Sequence, residues 1–162
     1  MRVSFDLDEV LFVDPKRFET EKPPRFPMSL LFPERLRKGT VDLVHQLQKE
    51  GFEVWVYTSS FRSESYIKSL FRNYGVRFDD IVNGFRHQAE VQRNRRQTLP
   101  TKVPSYYHIS LHVDDEEAVI RNGREFGFKV MRVYEPDEHW ADKILEEARR
   151  IRAREEAESR KA

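Results

Sequence analysis

Cysteine is absent from the 162 residues of this chain. Its absence removes thiol nucleophiles, thiolate metal sites and disulfides, and fits a reducing compartment such as the cytoplasm. No apolar run approaches the roughly 20 residues that a membrane-spanning helix needs. The apolar stretch near the start is interrupted by Asp6 and Asp8, so it does not read as a signal peptide, and the first strand is expected to open the fold with no leader before it. A surplus of one charge is missing too, since 29 Lys and Arg face 28 Asp and Glu for a net +1. That balance provides no global field to draw in nucleic acid or an acidic membrane, and any basic surface must be local.

What is present describes a globular domain. Apolar residues make up 38% and charged residues 35%, and twelve Phe supply large core pieces. The length suits one domain with a sizeable core and is short for two.

Strand and helix patterns alternate along the chain. Met1 to Phe5 reads as a strand, and Leu7, Val10, Leu11 and Phe12 carry its apolar character onward. From Asp14 to Gly39 the pattern breaks, with Pro15, Pro23, Pro24, Pro27 and Pro33 among Phe18, Phe26 and Phe32. That composition predicts a long surface excursion of the kind that forms lids. Thr40 is a candidate N-cap for a helix carrying Val41, Val44 and Leu47 and ended by Gly51. A strand over Phe52 to Thr58 follows. The next helix has Ile67, Leu70, Phe71 and Tyr74 at helical spacing before Gly75, and Asp80 to Val82 is a short strand. Tyr107 to Val113 reads as a strand, Glu116 to Phe126 as a helix and Phe128 to Tyr134 as a strand. The last helix places Trp140, Ile144, Ala148 and Ile151 on one stripe, after which residues 153–162 offer almost nothing to bury and should fray. The fold class is therefore α/β: a three-layer, doubly wound, Rossmann-like and mostly parallel five-stranded sheet. It forms a single domain over 1–152, with 14–39 inserted as a flap.

Three of these strands end in chemistry. Asp6 and Asp8 close the run VSFDLD, Asp114 and Asp115 close ISLHVDD, and EVWVYTSS ends in Thr58, Ser59 and Ser60. An apolar strand has no reason to finish in paired carboxylates unless something positive offsets their repulsion, such as a metal ion or a phosphate held by one. In an open parallel sheet the carboxyl ends of neighbouring strands share one crevice, so these tips read as one site.

These residues resemble the haloacid dehalogenase-like superfamily, whose members carry D-x-D at the first strand, Ser or Thr after the second, Lys before the fourth and acids after it. The resemblance covers nearly the whole chain and implies a magnesium-dependent phosphatase. By it, Asp6 is the nucleophile that forms an aspartyl-phosphate, and Asp8 protonates the departing oxygen, activates water and lends its backbone carbonyl to the metal. Thr58 binds the transferring phosphoryl group, with Ser59 and Ser60 as alternatives. Lys102, in PTKVP, steadies phosphate and nucleophile, with Lys68 as the next candidate although it lies within a helix. Asp114 is the better direct metal ligand. Asp115 either joins it, directly or through water, or caps the helix that starts near Glu116. Hard oxygen ligands, without Cys or clustered His, favour Mg2+ over zinc. Glu9 stands where many members have a small residue such as Gly, and reads as a solvated turn residue or part of the pocket wall. His112 reads as a structural strand histidine.

Neither interval in which the family places large caps is long enough for one here, so residues 14–39 would be only a flap. An open site permits bulky phosphate esters, and the expected partner is a phosphorylated substrate, either a small molecule or a nucleotide or nucleic-acid end, with no membrane. The contrasting reading is a binding module for nucleic acid or protein with little turnover, against which the retention of every acid argues. Between Gly84 and Pro100 the chain turns polar and basic, with Arg86, Arg93, Arg95 and Arg96. This segment reads as a solvated loop or exposed helix, or alternatively as a grip for a polyanion.

Overall fold

The structure, a computed structural model, describes residues 1–93 and 95–161. Its strands are β1 (Arg2–Phe5), β2 (Glu53–Tyr57), β3 (Asp80–Val82), β4 (Ile109–Asp114) and β5 (Val130–Arg132). They form one sheet in the order β3-β2-β1-β4-β5, and every pairing is parallel. The helices are α1 (Met28–Leu31), α2 (Thr40–Lys49), α3 (Glu64–Arg72), α4 (Gly84–His87), α5 (Glu117–Phe126) and α6 (Trp140–Ser159). A π-helical turn (Gln88–Gln92) continues α4, and a 3-10 turn (Pro104–Tyr107) leads into β4.

Parallel strands are buried on both faces, so consecutive residues face opposite cores. Val54 and Val56 of β2 join Val3 and Phe5 of β1 and Leu111 and Val113 of β4, with the apolar stripes of α2, α3 and α6 packed over them. Trp55 and Tyr57 join Val82, Ile109 and the loop residues Val91, Val103 and Tyr107 on the other side. Ser4, Asp6, His112 and Asp114 alternate with the first set, which places them on the second face.

Local chemistry trims the expected elements. Thr40 is the first residue of α2 rather than its cap; Gly39 takes the cap position with φ 89°, and the Thr40 hydroxyl donates to Arg37 O at 2.6 Å. The fourth strand starts at Ile109, because Pro104 opens a 3-10 turn that ends in His108 at φ 52°. Ser63, unremarked in the sequence, caps α3 by accepting the Tyr66 N–H. The part of the basic segment before Arg93 is helical, and Arg86 is held there by Asp80 and Glu90 at 2.7 and 3.1 Å.

Residues 14–39 run over the surface and fold back on the chain. Val13 N donates to Arg35 O, Arg37 N to Leu11 O and Glu21 N to Leu36 O. Phe18 and Leu36 anchor this excursion in the interior, while Phe26, Leu30 and Leu31 stay exposed. Helix α6 continues to Ser159 past the point where fraying is expected, with no buried residue after Ile151; Ala162 of that tail lies outside the described residues. Among the described residues no helix is long and apolar enough to cross a membrane.

Candidate active site

Strand order makes β1 and β4 neighbours, with Ser4 opposite His112 and Phe5 opposite Val113. One residue further, Asp6 N still donates to Val113 O at 2.9 Å, so the carboxylates of Asp6 and Asp114 emerge side by side at the carboxyl ends of the central strands. Lys102 enters between them from the loop on the same face. Its buried ammonium donates to Asp6 Oδ2 and to Asp114 Oδ2, each at 2.6 Å. Lys68, by contrast, pairs with Glu64 on its own helix at 3.2 Å.

A polar chain continues beneath. His112 Nε2 lies 2.9 Å from Asp114 Oδ2, and His112 Nδ1 lies 2.8 Å from the Ser4 hydroxyl. Asp114 Oδ1 accepts the N–H of Glu116, the N-cap residue of α5, at 2.9 Å, and the helix has no side-chain cap, so Asp115 does not cap it. Tyr57 fixes the Lys102 loop from below: its hydroxyl accepts the Val103 N–H at 2.9 Å and lies 2.7 Å from His87 Nδ1.

Charge explains the titration of these groups. Burial opposes the Lys102 charge, but Asp6 and Asp114 outweigh it and hold the ammonium above its ordinary range. Burial likewise opposes the Asp114 charge, yet His112 and Lys102 keep that carboxyl well below the usual carboxylate range. Asp115 is pushed up to about 6 by burial and by repulsion from Asp114 and Asp6. One ammonium therefore does not offset three acids. Asp6, Asp114 and Asp115 each bring a carboxylate oxygen within 4.8 Å of the others, and this hard-oxygen set, short of positive charge, fits a divalent cation such as Mg2+.

The other expected residues are placed as follows. Asp8 is exposed, and its carboxylate lies in a two-point pair with Arg62, Nη1 to Oδ2 at 2.8 Å and Nη2 to Oδ1 at 3.0 Å. Arg62 also donates to Ser60 Oγ at 2.9 Å and stands 3.4 Å from Glu34 of the 14–39 excursion, which accepts the Tyr66 hydroxyl. Arg62 carries no signal in the sequence beyond its position four residues after Thr58. Thr58 is buried and its Oγ1 accepts the Ser60 N–H at 3.2 Å, while Ser59 is exposed. Glu9 is exposed at φ 59°, the left-handed turn for which Gly is the easier residue.

Solved structures share this arrangement of elements. A haloacid dehalogenase-superfamily hydrolase of subfamily IA from Geobacter sulfurreducens superposes with TM-score 0.56 and 15% identity, over 90% of this chain and 97% of that one. An uncharacterized protein from Listeria monocytogenes gives 0.53 and 17%, over 90% and 97%. A chain of the Pnkp1/Rnl/Hen1 complex gives 0.53 and 16%, over 84% of this chain and 46% of that one, so this chain spans less than half of that relative's length. No family profile matches the sequence, and no curated protein does. The chain has the haloacid dehalogenase-like fold.

Proposed function

We propose that this protein is a magnesium-dependent phosphatase that hydrolyses a phosphate monoester through an aspartyl-phosphate on Asp6. The observation that carries the reading is Lys102 set between Asp6 and Asp114, with Asp115 completing a set of acids short of positive charge. Asp6, the carbonyl of Asp8 and Asp114 would hold the ion, with Asp115 beside them. When bound, the ion neutralises phosphoryl charge that would otherwise repel the nucleophile.

Asp6 attacks phosphorus, and the ester P–O bond breaks with its electron pair on the ester oxygen, which takes a proton from Asp8. Asp8, now a carboxylate, takes a proton from water as the water oxygen attacks the phosphoenzyme; the P–O bond to Asp6 breaks and inorganic phosphate leaves. Lys102 spends two of its three N–H groups on Asp6 and Asp114, which leaves the third for a phosphoryl oxygen. The Thr58 hydroxyl accepts from Ser60 and keeps its own proton to donate to phosphate. Arg62 pairs with the Asp8 carboxylate through two N–H groups; a phosphate ester offers the same two-point acceptor to the guanidinium and would release Asp8 for proton transfer.

Residues 14–39 act as a flap tied to this rim through Glu34. A site with only a flap over it suits a nucleotide or nucleic-acid end, and another structure of the Pnkp1/Rnl/Hen1 assembly, with TM-score 0.53, is described as an RNA repair complex. The test is hydrolysis of an aryl phosphate, nucleotides, sugar phosphates, phosphopeptides and phosphate-ended oligonucleotides with magnesium or with chelator. Turnover is expected with magnesium alone; turnover that survives chelator, or none on any ester, overturns the reading.

A further inference from the structure

Two phenylalanines stand in water at the rim of this site. Phe61 is 50% and Phe85 61% exposed, and their rings meet edge to face with centroids 4.7 Å apart. Isolated exposed phenylalanines are ordinary, but this pair is built into the phosphate loop. Phe61 follows Thr58 by three residues, so their Cα atoms are at most about 11 Å apart. Phe85 is the second residue of α4, just past the carboxyl end of β3, and the two tips are clamped together: Gly84 N donates to Ser60 O at 2.8 Å, and Asn83 Nδ2 donates to Arg62 O at 2.9 Å. A Cβ on Gly84 would stand 2.7 Å from Ser59 O and 3.1 Å from the Phe61 ring, so this contact leaves no room for a side chain. The backbone that presents Thr58 and Ser60 is thereby locked to the backbone that presents the rings.

We propose that Phe61 and Phe85 form a stacking wall for the base of a nucleoside phosphate ester whose phosphate sits at Asp6. The substrate is then a nucleotide or a phosphate-ended strand rather than a sugar phosphate or phosphopeptide. An edge-to-face pair leaves ring face open to a flat π-system, and stacking on it tolerates every base. The short stretch of chain from Thr58 to Phe61 keeps the rings near the phosphoryl position, where the first sugar and base of a nucleoside phosphate would lie. This inference rests on the phosphatase reading for the position of the phosphate, yet it can be tested without turnover.

The probes are a trinucleotide with a terminal phosphate on a 2-aminopurine nucleotide, the same trinucleotide with an abasic site there, and 2-aminopurine riboside monophosphate. Binding to the full-length Asp6→Asn protein with magnesium should quench 2-aminopurine fluorescence; adding Phe85→Ala should abolish the quench, and adding Phe85→Trp should keep it. In the otherwise unaltered protein kcat/KM should favour the base-bearing strand over the abasic one by about tenfold or more, and Phe85→Ala should bring that ratio close to one. Because the Phe85 ring is mostly in water, the alanine variant should fold, and its melting temperature checks that it does. Turnover without base preference, or equal losses on both strands, overturns the stacking wall and leaves the phosphatase standing. A Phe85-dependent quench with no hydrolysis of any ester does the reverse. Quenching of the trinucleotide and not the monophosphate assigns the site to strands, and quenching of both assigns it to nucleotides at large.

Discussion

Lys102 donates to Asp6 at 2.6 Å across 96 positions of sequence. The contact spans the site, because the same ammonium reaches Asp114 from the opposite side. It sets one counter-charge against two buried carboxylates and holds them close together, the arrangement that a nucleophile beside a metal ligand would need.

Replacing that ammonium should therefore be costly. Lys102→Met would leave Asp6 and Asp114 buried without their counter-charge, and breaking buried pairs of this kind costs about 3–5 kcal/mol. Urea denaturation should show that loss, and saturating magnesium should restore more stability to the variant than it adds to the unaltered protein. Aryl phosphate hydrolysis should fall to background. A variant as stable as the parent in chelator would show that the pair holds nothing together.

The two acids of the first motif should separate in their effects. Asp6→Asn removes the proposed nucleophile and should abolish turnover. Asp8→Asn should slow it by about 100- to 10,000-fold, the usual worth of a proton shuttle, and should let phosphoenzyme accumulate on an aryl phosphate whose leaving group needs no proton. Acid-quench trapping of the phosphoenzyme measures this. Asp8 is exposed and Asp6 buried, so Asp6→Asn should also be the more destabilising of the two. An active Asp6→Asn protein would refute the covalent route.

Gly84→Ala should injure the Thr58–Ser60 loop from outside it. The new methyl meets backbone oxygen rather than a flexible side chain, so Ser59 and Ser60 must shift, at about 1–3 kcal/mol. Thermal melting should show the loss, and KM for an aryl phosphate should rise more than kcat falls. An unchanged KM would mean that the loop does not bind the phosphoryl group.

Acid should loosen the seam between α2 and α6. Glu50 accepts from Arg149 Nε at 2.9 Å, and its carboxyl is held down at about 2 by that bond, then by Gln46, with Arg152 adding charge. The folded value lies below the ordinary 4.5, so the contribution is fully present above about pH 4.5 and is lost as pH falls towards 2. Glu50→Gln should lower the melting temperature at neutral pH, and the gap from the parent should close between those limits. A gap that stays constant down to pH 2 would assign the effect to packing instead. The pair is solvent-screened and should weaken in salt.

Much of this protein is written in local pattern. Short apolar runs mark the strands, the stripe Trp140, Ile144, Ala148 and Ile151 marks α6, and acids at the ends of two apolar strands announce a charged site, because burial and like-charge repulsion act within a few residues. Strand ends were less legible. Phe52 and Phe128 suit a strand, but β2 and β5 begin only at Glu53 and Val130, where a partner is in register. The choice of Lys102 over Lys68, the hold of Arg62 on Asp8 and the meeting of Phe61 with Phe85 depend on which strands lie side by side. Nothing local specifies that order. It follows from how the crossovers lay β4 against β1 and β3 against β2, and only then do residues 96, 54 and 24 positions apart come within reach of one another.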